Sequence, residues 1–203
     1  AAGLVAVDET QLKQHFQVTE NNLLVGLEFR VNALNRLGML LDQQRPADWL
    51  ATFLQKKTIS AEAVFAAIIP LWSQVIMGPL KIGQQHLGDV WPYSIEGKSQ
   101  YVPFHKLGQW LTYSLLDVMH RFGHEIVDLD KLTGLPEYRN GGLFLDFNVL
   151  QPRNTDYANK VFHVSDTLVI EWRALTIKLL DLLAEKIREK LGKSEQELPL
   201  VKI

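Results

Sequence analysis

Apolar residues recur at three- and four-residue steps along most of the chain, which is the spacing of one face of an α-helix. We find no convincing run of alternating apolar and polar residues of the kind that forms strands. The pattern therefore predicts an all-α fold. The apolar stripes of its long helices are Leu27, Val31, Leu34, Gly38 and Leu41; Trp49, Leu50, Phe53 and Leu54; Val64, Phe65, Ile68 and Ile69; Phe104, Leu107, Leu111, Leu115, Val118 and Phe122; and Leu168, Trp172, Leu175, Leu179, Leu183 and Ile187.

Residues with strong preferences for helix ends bound several of these segments. Ser60 stands where its hydroxyl can accept a hydrogen bond from a free amide of the first turn. Pro70 lies inside the same predicted helix and is expected to kink or restart it. Gly123 and Gly192 follow the last two long helices, and glycine is typical of that position.

Two segments break the helical pattern. Residues 78–103 are rich in glycine, proline and aromatic side chains, and residues 125–150 contain the pair Gly141-Gly142. Long irregular segments with many aromatic residues are usually functional. We therefore expect the functional site in these two segments, held on a helical frame.

Composition narrows the classes of function. Hydrophobic residues make up 47% of the 203 residues and charged residues 22%, as in an ordinary globular domain. We expect one helical domain over residues 1–192 and a surface tail over residues 193–203. The 21 basic and 23 acidic residues leave a formal net charge of −2, which builds no basic field for a phosphate backbone. Nucleic acid is therefore not an expected partner.

Cysteine and long apolar runs are both missing from the sequence. Without cysteine the chain forms no disulfide, no thiolate zinc site and no cysteine nucleophile. No apolar run reaches the roughly 18 uncharged residues of a membrane span, and the first residues lack the pattern of a signal peptide. We therefore expect a cytoplasmic protein with no membrane partner. Because the first residue is Ala1, we also expect the chain to be processed or cut from something longer.

The first irregular segment contains Asp89 close to Trp91. Aromatic surroundings desolvate an aspartate, which raises its pKa and suits acid–base work, but an aspartate after glycine equally caps a turn. The helix that follows carries His105, Gln109 and the neighbouring Tyr113 beside its apolar face. Such a stripe suits either a pocket wall or a hydrogen-bonded seam between helices.

A metal site is a weaker alternative for the same segment. His86, Asp89 and His105 carry ligand groups that zinc accepts, but their spacing is not a recognised ligand motif. We therefore predict neither a metal nor another cofactor.

The second irregular segment contains Glu137, Tyr138, Arg139 and Asn140 in consecutive positions. A carboxylate, a phenol, a fixed cation and an amide together can serve acid–base chemistry and anion binding. The alternative is an internal Glu–Arg ion pair on a short exposed helix, which is common and contributes little. Surrounding leucine and phenylalanine residues imply partial burial, which favours the functional interpretation.

A third polar motif, Glu171-Trp172-Arg173, lies early in the last helix. Glu171 borders the apolar stripe, so it is expected to point into the protein, where a carboxylate needs a cationic partner. Arg139 or Arg173 can be that partner. This interpretation makes Glu171 an orienting residue.

Three long motifs resemble those of one protein family. They are GDVW at residues 88–91 with VPFHKL at 102–107 and QWLTYS at 109–114; LTGLPEYRNGGL at 132–143; and EWRALT at 171–176. From about Gly26 onward the chain resembles the uracil-catabolism (URC/Urg) family, long filed as a domain of unknown function. The resemblance implies proteins about twice this length, of which this chain would be the C-terminal half. It also implies a role in the pyrimidine route that opens a uracil nucleotide and releases urea.

A fainter similarity points to a reaction. The order Leu-Thr, acid-Tyr-Arg and Glu-x-Arg-Ala is similar to the queuosine-phosphate glycosidase family, which is helical and akin to DNA glycosylases. That family carries Asp where this chain has Glu137, and the pair Gly141-Gly142 departs from its pattern.

Together the resemblances imply an N-ribosyl hydrolase that acts on a ribosyl-urea or a related nucleotide breakdown product. Its oxocarbenium-like transition state needs a nearby carboxylate, for which Glu137 and Asp89 are the candidates. The alternatives are a metal-dependent amidohydrolase of a ureido intermediate and a non-catalytic protein that binds a pathway partner. Association with an N-terminal half or with other pathway enzymes is also expected. The predicted substrate-binding residues are Trp91, His105, Gln109, Tyr113, Tyr138, Arg139, Asn140, Glu171 and Arg173.

Overall fold

Helices dominate the computed structural model, which describes residues 1–153 and 155–203. A mainly helical fold is confirmed, but the expectation that no strands form is wrong, because the described residues include three two-stranded sheets. The helices are α1 (Ala2–Val5), α2 (Glu9–His15), α3 (Leu27–Leu40), α4 (Pro46–Leu54), α5 (Ala61–Val75), α6 (Lys106–Arg121), α7 (Tyr138–Asp146) and α8 (Thr167–Leu191). The strands are β1 (Thr58–Ser60), β2 (Lys81–Ile82), β3 (Gln85–His86), β4 (Val90–Ile95), β5 (Lys98–Pro103) and β6 (Glu125–Val127). Short 3-10 turns span Leu129–Lys131, Thr155–Asn159 and Leu200–Lys202.

The hydrophobic core lies where α5 packs against α6. Val64 and Ile68 of α5 meet Leu116 and Met119 of α6, and all four are buried. Helix α3 packs against α5 from outside, while β1 and β6 pair in parallel and join the segment before α5 to the segment after α6. The core therefore holds together residues that are far apart in sequence.

The predicted helix ends are largely confirmed. Ser60 caps α5, where its hydroxyl accepts the amide of Ala63 at 3.3 Å. Gly192 directly follows α8 with a φ of 62°, the left-handed conformation in which glycine ends helices. The predicted restart at Pro70 does not occur, since α5 continues through it.

Much of the first irregular segment is a β-hairpin. Strands β4 and β5 pair antiparallel, from Val90 opposite Pro103 at one end to the turn at the other. Glu96 and Gly97 form that turn with φ values of 50° and 77°. Two consecutive residues with positive φ match the twist of a hairpin. The Glu96-Gly97 pair therefore indicated a hairpin turn. The many glycine and proline residues around it led to the interpretation of the whole segment as a loop.

Helix α6 is rotated relative to the prediction. Its buried residues are Gly108, Gln109, Thr112, Leu116 and Met119. Leu107, Val118 and Phe122 of the predicted buried stripe are instead exposed. Gly108 permits this orientation because a Cβ there would lie 3.0 Å from Ile69, so the two helices approach closely.

Helix α8 is likewise only partly covered. Its buried residues are Val169, Ile170, Arg173, Thr176 and Ala184. Leu175 and Leu183, which were expected to be buried, lie at the surface. The last residues of the chain return to α8, where Arg188 donates from Nε to the carbonyl of Leu198 at 2.8 Å. Within the described ranges, no helix is both long and apolar enough to cross a bilayer.

Candidate functional site

Asp89 and Arg173 form a buried ion pair at the base of the hairpin. The guanidinium donates from Nη1 to Oδ1 at 3.0 Å and from Nη2 to Oδ2 at 2.7 Å, which is bidentate geometry. Trp91 donates from its indole to Oδ1 at 2.7 Å, and the backbone amide of Lys106 donates to Oδ2 at 3.1 Å. The guanidinium carbon also lies 4.0 Å from the centre of the Phe104 ring. One carboxylate thus joins β4, the start of α6 and α8.

This arrangement keeps Asp89 ionised. Burial raises the pKa of its carboxyl, but the hydrogen bonds and charge of Arg173, with the bonds from Trp91 and Lys106, outweigh it and hold the pKa below its ordinary value. Both carboxylate oxygens are occupied. Asp89 therefore positions three elements of the fold and is poorly placed to transfer a proton.

Lys106 connects Asp89 to Glu137. Its backbone amide binds Asp89, while its Nζ lies 2.7 Å from Oε2 of Glu137. Glu137 precedes α7, and its Oε1 accepts the amide of Tyr138 at 2.9 Å. The hydrogen bond from Lys106 is the largest cause of the lowered pKa of Glu137. The two predicted carboxylates therefore bind the same residue, Lys106, at the start of α6. Glu137, like Asp89, is ionised.

An aromatic wall continues from this pair. Lys106 Nζ lies 5.3 Å from the centre of the Tyr138 ring, and the Tyr138 and Trp172 rings are 5.5 Å apart. Gly141 makes this packing possible, because a Cβ there would lie 2.6 Å from Nε1 of Trp172 and 2.8 Å from Oγ1 of Thr176. The close approach that the glycine pair predicts is thus made by Gly141, between α7 and α8.

The two neighbouring glycines give a matched test of this packing. We expect Gly141→Ala to lower the free energy of unfolding by roughly 1–3 kcal/mol, since overpacking forces α7 from α8. Gly142→Ala should raise it by up to about 1 kcal/mol, because no atom lies within 4 Å and alanine is the better helix former. Urea unfolding of both variants measures the difference. Equal changes in the free energy of unfolding for the two variants would contradict the close contact between Gly141 and Trp172.

The aromatic wall borders an open cavity of about 600 Å³ between α7, α8 and the segment after α7. Its lining is mainly apolar and aromatic, which is typical of small-molecule sites. Glu171 and Arg153 contribute opposite charges to it. The lining residues are Tyr138, Leu145, Leu150, Gln151, Pro152, Arg153, Tyr157, Phe162, Val164, Leu168, Val169, Glu171, Trp172 and Leu175.

Tyr93 of the hairpin lies next to Glu171. Burial raises the pKa of the Tyr93 phenol, and the charge of Glu171 and a hydrogen bond to it raise it further. The phenol therefore remains protonated at neutral pH and can donate a hydrogen bond beside the carboxylate. Contrary to expectation, Glu171 is exposed and does not point into the core, and Arg173 is bound to Asp89 instead.

Gln109 and Tyr113 are turned towards the second irregular segment. The Gln109 amide accepts from the Thr133 backbone at 2.9 Å and donates to its hydroxyl at 2.8 Å. The Tyr113 hydroxyl donates to the Thr133 carbonyl at 3.0 Å, and burial, followed by the charge of Asp181, raises its pKa to about 12. Both side chains form the hydrogen-bonded seam that was the alternative to a pocket wall.

His105 occupies a separate position, with a left-handed φ of 45° immediately before α6. With Asp89 and Trp72 it lines a cavity of only about 40 Å³. Burial lowers the pKa of the imidazole, although the charge of Asp89 opposes this, so the ring is neutral at pH 7. Arg139 is exposed and Asn140 half-buried, and neither is among the residues that line the large cavity.

The three residues considered for a metal site are used differently. His86 Nδ1 lies 3.2 Å from the carbonyl oxygen of Gly78, and Asp89 is held by Arg173. In the part of the chain that the structure describes, no group of three His, Cys, Asp or Glu side chains is arranged to hold a metal ion.

Three residues of this region were missed from the sequence. Lys106 follows His105 in the quoted motif, but a lysine at a helix start has no distinctive spacing. Tyr93 lay in the segment interpreted as a loop, and Arg153 in a polar linker. No local pattern brings these residues together, because they come from three separate parts of the chain.

Comparison with known proteins identifies the family. The family described as "Protein of unknown function (DUF1688)" matches residues 1–203. The chain belongs to this family. This confirms the membership that the three motifs predict, since one relative carries the name Uracil catabolism protein 4.

Two relatives show how much of a DUF1688 protein the chain covers. Protein urg3 of Schizosaccharomyces pombe is 40% identical over 206 residues, which are 97% of this chain and 50% of the relative. Uracil catabolism protein 4 of Lachancea kluyveri is 32% identical over 219 residues, which are 88% of this chain and 50% of the relative. The chain thus spans about half the length of the curated relatives it matches. No solved structure matches it, so similarity to DNA glycosylases stays a prediction.

Proposed function

We propose that this DUF1688 chain takes part in uracil catabolism and hydrolyses the N-ribosyl bond of a ribosyl-urea or a related nucleotide breakdown product. The name of the Lachancea kluyveri relative supports the pathway. The reaction class is supported by the large cavity, in which Glu171 faces an aromatic and apolar lining.

N-ribosyl hydrolysis uses groups of this kind. The bond between C1′ and the urea nitrogen breaks, the oxygen of water joins C1′, and one proton of that water ends on the departing nitrogen. Positive charge develops on the sugar in the transition state, and a carboxylate next to C1′ stabilises it. In the proposal Glu171 supplies this carboxylate, while the protonated phenol of Tyr93, next to it, helps to position it.

The remaining residues have supporting roles. Tyr138 and Trp172 form an apolar wall for the planar ureido group, and Arg153 carries the charge that suits a phosphate. Glu137 was a leading candidate for the carboxylate, but its ion pair with Lys106 makes it the residue that fixes the Tyr138 wall. Asp89 likewise acts as a positioning residue, since its ion pair with Arg173 holds α8 in place.

Product analysis tests this proposal. Full-length protein is incubated with ribosyl-urea phosphate, and urea and ribose phosphate are quantified over time. The expected result is equimolar release of both. Release of ammonia with the N-ribosyl bond intact would favour an amidohydrolase, and an unchanged substrate would favour a non-catalytic partner protein; either result overturns the proposed reaction.

A further inference from the structure

We propose that the outward apolar stripe of α6 is the docking face for the half of longer DUF1688 proteins that this chain does not span. The inference concerns how the longer relatives are assembled, and it holds whichever reaction the family catalyses. It starts from one observation: several apolar side chains of α6 recur with helical spacing, yet they are exposed in this chain.

Four large apolar side chains define the α6 stripe. They follow one another at three-, eight- and four-residue steps, which keeps them on one side of a helix with 3.6 residues per turn. The exposed fractions are 42% for Leu107, 57% for Trp110, 50% for Val118 and 81% for Phe122. Exposed Ser114 and the half-buried Leu111 and Leu115 lie between Trp110 and Val118 on this side of α6. Exposed apolar side chains grouped on one helix face mark an interaction site, unlike single exposed residues on loops.

The opposite side of α6 excludes a simple rotation of the helix. Gly108 allows Ile69 of α5 to approach, and Leu116 and Met119 are core residues. Turning the α6 stripe inward would therefore replace a close helix contact with bulky side chains. In the proposal a second element covers the stripe from outside.

The length of the relatives identifies that element. The region that matches this chain is half of Protein urg3 and half of Uracil catabolism protein 4. Within one polypeptide the second half is held at high effective concentration, so a modest apolar face suffices for docking. Asp117 and Arg121 lie beside the stripe and pair with each other at 3.0 Å, so the charges at its edge compensate one another.

Docking at this face would bring the second half to the candidate site. Leu107, the first residue of the α6 stripe, directly follows Lys106, whose side chain binds Glu137. A covering helix would therefore end beside the Lys106–Glu137 pair, where it can add side chains of its own.

Hydroxyl-radical footprinting tests the proposal. The 203-residue chain is compared with a chimera in which it replaces the matched half of Protein urg3. We expect Trp110 and Phe122 to react fast in the chain alone and, in the chimera, to fall several-fold towards the rate of buried Phe104. Exposed Tyr101 of the hairpin should react equally in both.

A matched pair of triple variants makes the assignment specific. The substitutions Trp110→Gln, Val118→Gln and Phe122→Gln should leave the halves undocked, seen as faster protease cleavage at their junction. The substitutions Val25→Gln, Phe147→Gln and Val161→Gln alter other exposed apolar positions away from the α6 stripe and should have no such effect.

Two outcomes would overturn the proposal. In one, Trp110 and Phe122 react as fast in the chimera as in the chain alone. In the other, the chain alone shows protection that grows with its concentration, which makes a second copy the occupant. If the chimera does not fold, adding the unmatched half of Protein urg3 as a separate polypeptide gives the same readout.

Discussion

Arg173→Met should lower the free energy of unfolding by about 3–5 kcal/mol, because it leaves the carboxylate of Asp89 buried without its cation. Arg173 is 6% exposed and Asp89 19%, so water replaces little of the lost interaction. For a chain of this length, such a loss corresponds to a fall in Tm of roughly 6–20 °C. Urea and thermal unfolding followed by circular dichroism measure both quantities.

Lys186→Met is the matched control for this substitution. Lys186 also bonds a carboxylate at 2.7 Å, that of Glu189, but both side chains are at least 70% exposed. An exposed pair of this kind contributes about 0–1 kcal/mol. The double variant Asp89→Asn with Arg173→Met should cost less than the two single variants added together. If Arg173→Met costs no more than Lys186→Met, the pair does not hold the site together.

Glu171→Gln should reduce kcat for N-ribosyl hydrolysis by about 10²-fold or more while KM changes little. The amide preserves the size of the side chain but carries no negative charge for the oxocarbenium-like transition state. Single-turnover rates of urea release, measured on the full-length protein, give the comparison. Intact far-ultraviolet circular dichroism should accompany the loss.

Two further substitutions discriminate among the carboxylates. Glu189→Gln changes an exposed residue of the same helix and should leave kcat unchanged. Glu137→Gln should reduce kcat less than Glu171→Gln, because it affects the position of Tyr138. A larger loss for Glu137→Gln would assign the reacting carboxylate to Glu137, and the assignment to Glu171 would then be wrong.

The helices and their caps followed from the sequence, but the direction in which two of them face did not. Periodicity shows which side of a helix is apolar, and it predicted that Val118 and Phe122 of α6 would be buried. It does not show which part of that side the rest of the fold covers. The wrong orientation of α6 and the exposed leucines of α8 both reflect this limit of periodicity.

The candidate site was predictable as a set of motifs but not as a set of contacts. Asp89, Glu137 and Glu171 all lie in motifs quoted from the sequence, and the structure brings their segments together. Their partners depend on the fold, since Arg173 is 84 residues from Asp89 and no local spacing connects them. Arg173 was instead considered a partner for Glu171, its neighbour in sequence.

Lys106 makes the two linked carboxylates genetically separable. It reaches Asp89 through the main chain and Glu137 through the side chain. Every residue except proline keeps the backbone amide, so most substitutions at this position release Glu137 and leave the bond to Asp89 in place. In a saturation library at position 106, arginine would keep a cation for Glu137, most other residues would report on Glu137 alone, and proline would disturb both contacts.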